Sequence, residues 1–441
     1  MGSIRSDQSK SKAENLERAA LLPLRLIIPG RFWDSLIHAG RLYLFGLDGK
    51  VLTLDWDRLI ESWPMDDCVR IAFDCAFRQS NLLYGPNIAR VFSDSDIRDV
   101  MRGKFERLAQ TVYELSEARL RECLVGEQSS PFPFPHTDAA IYGNNFYVTA
   151  RDGVYQASCE KTNGNPISTH VERKWDGGAY SVAISYNRLA LAAGDEGLFE
   201  LPIEGEIRRS GARGPRQIVS QNCTDCRWAF YSIYCSSHIG MGYLASFRKE
   251  ASAGRDAPYE RKFYHPISSR EIFHDSFGYS WGNQDKLCQL DDHCIHIVRY
   301  QPWAEEAAIE NLETVDLETL SDGKTIDLDP WKGGVVSGAT ALFGTVVECQ
   351  NAIVVIPSEG SVLTLKGEPT NWRVFTRSIQ YENQLHVIYP EKIEILSFNQ
   401  DYFVNQERKL HGLNAKYVGV YSEGPARSGK QRSNLRRKLL E

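Results

Sequence analysis

Gly40-Arg41-Leu42-Tyr43-Leu44-Phe45, followed by Asp48-Gly49-Lys50-Val51-Leu52-Thr53-Leu54, is the stretch that decides the fold. Each half alternates along the chain, and a strand sends successive side chains to opposite faces. The Asp-Gly between them is the turn that a two-stranded hairpin favours. The clearest echo is Asn187-Arg188-Leu189-Ala190-Leu191 with Asp195-Glu196-Gly197-Leu198-Phe199-Glu200-Leu201. Similar units recur near 32–59, 138–159, 177–203, 226–250, 277–302, 335–366 and 374–399. Those near 226–250 and 277–302 are fainter. A further apolar strand precedes the hairpins, as in Tyr180-Ser181-Val182-Ala183-Ile184.

A repeated hairpin sets the architecture. The spacing brackets the roughly 40–50 residues of a four-stranded propeller blade. Radial stacking buries the faces of such small sheets and leaves only short edges. The expected fold is therefore all-β, a roughly seven-bladed β-propeller over residues 19–425. Leu22–Ile28 is expected to close the last sheet beside residues 415–421. Residues 1–18 and the basic tail 426–441 are expected to be disordered.

One insertion, at 94–135, interrupts the rhythm between blades 1 and 2. Met101, Phe105, Leu108, Val112 and Leu115 are spaced 4-3-4-3, which makes one apolar stripe on a helix. A helix over 94–124 would be about 45 Å long. Ser129-Ser130-Pro131-Phe132-Pro133-Phe134-Pro135 then stops it. Phe105, Leu108, Val112 and Leu115 either pack on the propeller's side or dock a partner.

The first hairpin ends Leu54-Asp55-Trp56-Asp57, which resembles the third strand of a WD40-type blade. The other six units lack that Trp-Asp, and no Gly-His opens a blade. The resemblance to the β-propeller superfamily is WD40-like in rhythm, over about 28–420, and fixes no subfamily. It implies a disc with a central channel and loop-built faces, used more often for binding than for catalysis.

Composition narrows the function classes. The formal charge of −6 over 441 residues argues against binding nucleic acid with the whole surface. No apolar run is long enough for a membrane span. Ten scattered cysteines without an export signal point to reduced thiols and a cytoplasmic setting. Cys223-Thr224-Asp225-Cys226, with Cys235 and His238 following, is one candidate metal set, although a zinc site usually draws on two such pairs. Packed cysteines are the commoner meaning. Asp291, Asp292, His293, Cys294 and His296 cluster as a hairpin tip would. No Walker loop, nucleophile elbow, HExxH or EF-hand is present, so no catalytic residue, metal or cofactor is assigned.

Two basic groups stand out. Arg208, Arg209, Arg213 and Arg216 share a Gly/Pro-bearing loop, and the tail carries Arg432, Arg436, Arg437 and Lys438. Either group suits an anion or an acidic partner. Three functional readings follow. The first is a non-catalytic scaffold or recognition subunit with other protein subunits as partners. The second is a funnel hydrolase or lyase on a small or sugar-like substrate, whose channel mouth would gather carboxylates or histidines from several blades. The third is a nucleic-acid-associated subunit using the basic loop and tail. A small-molecule ligand stays open.

Overall fold

The computed structural model describes residues 21–83, 86–159, 165–203, 214–238, 241–251, 259–274, 278–291, 294–303, 309–316, 334–358, 361–403 and 409–415. Seven sheets, antiparallel but for one added strand, form a seven-bladed β-propeller. The fainter units near 226–250 and 277–302 are full four-stranded blades. The first strands are Phe32–His38, Asp138–Tyr142, Ser181–Ser185, Asp225–Ala229, Tyr279–Asn283, Val335–Ala341 and Asn371–Val374. Starting from blade 7, the first strands of blades 7, 1, 2, 3, 4, 5 and 6 touch in that order, so these strands surround the axis.

Local chemistry explains the hairpins. In blade 1 the turn Gly49 adopts φ +77°, a conformation glycine enters at little cost. The Asp48 carboxylate accepts from the Lys50 amide at 3.1 Å. At Gly197 (φ +89°) a Cβ would also run into the Val219 carbonyl. The core lies between blades. Tyr43 and Phe45 of blade 1 meet Phe146 of blade 2 edge-on, with centroids 4.9 and 6.2 Å apart.

Closure uses the N-terminal strand as expected, but with a different partner. Leu24–Pro29 runs antiparallel to Lys392–Ser397, from Leu24 opposite Ser397 to Pro29 opposite Lys392. Residues 416–421 lie outside the described residues. The alternate Leu24, Leu26 and Ile28 are buried, while Arg25 reaches Glu394 from its Nε at 2.6 Å.

The insertion is wider than 94–135, and no single helix runs through it. The chain leaves the third strand of blade 1 (Lys50–Asp55) and returns to it as the fourth strand, Leu124–Ser129. Between lie helices α1 (Trp56–Glu61), α2 (Asp67–Phe77), α3 (Pro86–Val91), α4 (Ser95–Ala109) and α5 (Glu117–Glu122). The expected 94–124 helix ends at Ala109. Val112–Glu114 is instead a short strand, parallel to Arg25–Ile27, and makes the fifth strand of blade 7. Strand pairing there overrides the helical spacing. Among the described residues no helix is long and apolar enough to cross a membrane.

The Trp-Asp pair has a local task. Asp55 ends the strand and caps α1, accepting from the Arg58 amide at 3.0 Å. Trp56 is fully buried and donates from Nε1 to the Phe77 carbonyl at 2.6 Å. It thereby ties α1 to the end of α2.

Candidate functional site

The starts of the first strands carry polar side chains toward the axis. Arg373 of blade 7 donates from Nη2 to Asp34 of blade 1 at 2.6 Å. The same nitrogen lies 3.0 Å from Asp138 of blade 2. Its Nη1 donates to the Ala139 carbonyl at 2.9 Å. Asp34 also bonds His136 Nε2 at 2.9 Å. The Ser181 hydroxyl of blade 3 bridges Asp138 at 3.1 Å and Asp225 of blade 4 at 2.7 Å. Arg227 is 3.1 Å from Asp225. Carboxylates from blades 1, 2 and 4 thus converge, and each already has a guanidinium partner.

The partners of Asp34 decide its protonation state. Burial pushes the Asp34 carboxyl up, but Arg373, with hydrogen bonds from His136 and Arg373, holds it at about 2. Arg373 is raised well beyond its ordinary range: burial lowers it, and Asp34 and Asp138 more than compensate. A carboxylate held as an anion by a buried arginine is a poor general acid. Ser35 and His386 Nδ1 are 3.0 Å apart, but both are fully buried at the seam of blades 1 and 7. Burial and then the Arg373 charge lower His386 to about 3. Its other nitrogen faces Gln384 at 3.3 Å. The pair knits the seam.

At the opposite end of the first strands, the loop 375–383 of blade 7 reaches across the ring. Arg377 donates to the Ile184 carbonyl of blade 3 at 2.6 Å, and its guanidinium lies 5.8 Å from the Trp228 ring of blade 4. Thr376 accepts from Gln284 of blade 5 at 3.1 Å. The protein's own groups therefore bridge separate blades at both ends of the first strands.

Cys223, Cys226 and Cys235 are buried core residues. Burial pushes the Cys223 and Cys226 thiols up. His238 stacks on Tyr279 with centroids 5.6 Å apart. Among the described residues no group of three His, Cys, Asp or Glu side chains is placed to hold a metal. Asp291 and His296 pair at 2.8 Å across a hairpin, with Thr314 on the other ring nitrogen at 3.0 Å. Asp292 and His293 lie outside the described residues, as do Arg208, Arg209, Arg213, Arg432, Arg436, Arg437 and Lys438. Arg216 begins the last strand of blade 3, and its guanidinium sits 5.4 Å from the Phe263 ring of blade 4.

The apolar stripe of the insertion faces inward. Phe105, Leu108 and Leu115 are buried against the closure strand and α2, so a partner cannot reach them while the insertion is folded. Val112 is exposed, but in the short strand. The outward face is a different one. Val100 is 62% exposed, Ile97 44%, and Ile71 on α2 46%. Lys104 Nζ meets the Cys68 carbonyl and Arg107 lies 3.2 Å from Asp66, so α2 and α4 run antiparallel and bring Ile71 near Val100. Gly103, in the middle of α4, is exposed, and a Cβ there would meet nothing within 4 Å. A glycine inside a helix costs about 1 kcal/mol relative to alanine, and among the described residues nothing packs on Gly103 closely enough to require it.

No family model matches the chain, and no curated protein matches its sequence. Solved structures do. The chain folds as a seven-bladed propeller. It is similar to a chain in a structure of S. cerevisiae Dbp5 bound to Nup159, Gle1, IP6 and ADP. That match has 8% identity and a TM-score of 0.42, and covers 86% of this chain and 97% of that one. A WD40 β-propeller domain of Doa1 matches at 11% identity and TM-score 0.31, over 61% and 95%. A computationally designed protein, Ika8, matches at 9% identity and TM-score 0.39, over 85% and 99%.

Proposed function

We propose that the protein is a non-catalytic interaction subunit, built as a rigid ring that presents its helical insertion to another protein chain. The observation that carries this reading is where exposed apolar groups fall. Six of the fourteen exposed large hydrophobic residues among those described lie within the insertion: Ile71, Leu82, Val91, Ile97, Val100 and Val112. Scattered surface hydrophobics are ordinary, but a concentration within one insertion supports reading it as an interaction surface. The paired aspartates at the axis favour this reading over the funnel enzyme, because Asp34, Asp138 and Asp225 are already bound to arginines. The ten free thiols fit a reducing, cytoplasmic setting.

The test is a cross-linked assembly from the protein's own cells. With the full chain, cross-links are expected to concentrate on α2 and α4. The double substitution Ile71→Asp and Val100→Asp is expected to remove the partner while leaving the melting temperature within a few degrees. Recovery of the native protein as an inert monomer would overturn the reading.

A further inference from the structure

The partner that fits this surface best is a second copy of the chain, an inference that rests on reading the insertion as the interaction surface. The outward stripe of α4 is Asp96, Val100, Gly103 and Arg107, spaced 4-3-4 along one side of the helix. Met101, Phe105 and Leu108 occupy the other side, toward the core. The stripe has a symmetry of its own. It is acidic at its N-terminal end and basic at its C-terminal end, with an exposed valine and an exposed glycine between.

We infer that two copies associate antiparallel along α4, with Val100 of each seated on Gly103 of the other and Asp96 facing Arg107. A two-fold interface must be self-complementary, each patch meeting its own copy. This register satisfies that at every stripe position. Both large apolar groups enter open space, and both charged ends meet the opposite sign. The Gly103 position, which a Cβ would enter freely in the single chain, is the notch that lets the backbones approach. Arg107 would exchange its exposed contact with Asp66 for the same kind of contact across the interface, and exposed ion pairs exchange at little cost. Antiparallel packing also sets the two helix dipoles in opposition. Ile71 and Ile97 lie beside the stripe and widen the contact. A single helix pair covers less than the roughly 1,600 Å² of a standard interface, so weak, concentration-dependent association is expected.

Sedimentation of the full chain over a concentration series tests this directly. The wild type is expected to approach twice its monomer mass as concentration rises. Gly103→Gln fills the notch with a better helix former, so it is expected to weaken association by on the order of tenfold or more while its melting temperature holds or rises. That opposite movement separates a lost contact from a damaged fold. Asp96→Arg alone and Arg107→Asp alone are each expected to weaken association, and the double variant to restore it. A wild type that stays monomeric throughout, or a dimer indifferent to Gly103→Gln and to the charge exchange, overturns the inference. If the chain alone is monomeric but the cross-linked assembly still depends on Ile71 and Val100, only this choice of partner fails and the interaction surface stands.

Discussion

His386 and Asp34 shape how the ring responds to acid, together with His411, which burial and then the Lys286 charge lower to about 4. His386 is buried at the seam of blades 1 and 7 and lowered to about 3, against about 6.5 in an unfolded chain. Between those values the unfolded state binds a proton that the folded state refuses, so stability falls as pH drops from about 6.5 toward 3. Asp34 is held at about 2, below its ordinary 3.8. Its contribution is fully present above pH ~4 and is lost as pH falls through about 2, on the order of 2 kcal/mol. The two windows separate the residues. His386→Gln is expected to flatten the fall of the urea midpoint between pH 6.5 and 4 while leaving the steeper loss near pH 3 and below. Equal slopes in variant and wild type would assign the upper window elsewhere. None of this was legible in the sequence. Asp34, His136, Arg373 and His386 lie on blades 1, 2 and 7, and only circular closure brings them together.

At the scale of elements, the end of α2 explains why the insertion is part of the ring. The last carbonyls of a helix have no partner within it. Here blade 7 supplies them. Asn383 and Ser397 donate to the Ala76 carbonyl at 3.0 and 2.7 Å, and Gln384 donates to Phe77 at 2.8 Å, all buried. Removing one donor leaves a buried acceptor less satisfied, which costs about 1–3 kcal/mol. Asn383→Ala and Ser397→Ala are therefore each expected to lower stability by about that much in denaturant melts. Because Asn383 also donates to the Ser397 hydroxyl at 2.9 Å, each single variant already loses that bond, and the double variant should fall short of the sum. Full additivity would mean that the two donors act independently. The stripe at Phe105 and Leu108 was legible as a buried helix face. Its continuation through Val112 and Leu115 was not, although Thr111-Val112-Tyr113 is a β-branched and aromatic run that favours a strand. The stretch from Trp56 to Val91 also escaped, although Val69, Ala72, Phe73, Ala76 and Phe77 of α2 follow the i, i+3, i+4, i+7, i+8 spacing of a buried helix face. The outward face of Ile97 and Val100 could be named only once the packing had shown which side of α4 was inside.

For the whole molecule, the hairpins carried the fold because each blade repeats the same local alternation, and local alternation is what a single sequence displays. Closure is different, since it joins residues 369 positions apart, as Arg25 and Glu394 show. A seven-sheet ring held only between neighbours would fray from its open blade, as a linear repeat array does. Here Leu24, Leu26 and Ile28 are fully buried beside Ile393 and Ile395, and Val112–Glu114 of the insertion pairs on their outer side. The N-terminal strand therefore joins blade 7 to the insertion of blade 1. Leu26→Asp would place an unpaired carboxylate in that layer, a loss on the order of 4 kcal/mol from missing apolar contact and buried charge. Because the strand holds the ring shut, the effect is expected to reach every blade. Calorimetry should show one cooperative transition moved to lower temperature, with hydrogen exchange accelerated in blades 3 and 4 as well as in blades 1 and 7. If exchange rises only in blades 1 and 7 while the far blades keep their wild-type protection, the ring behaves as a linear array with its ends in contact. The N-terminal strand would then be a local cover for blade 7, without control over the rest of the circle.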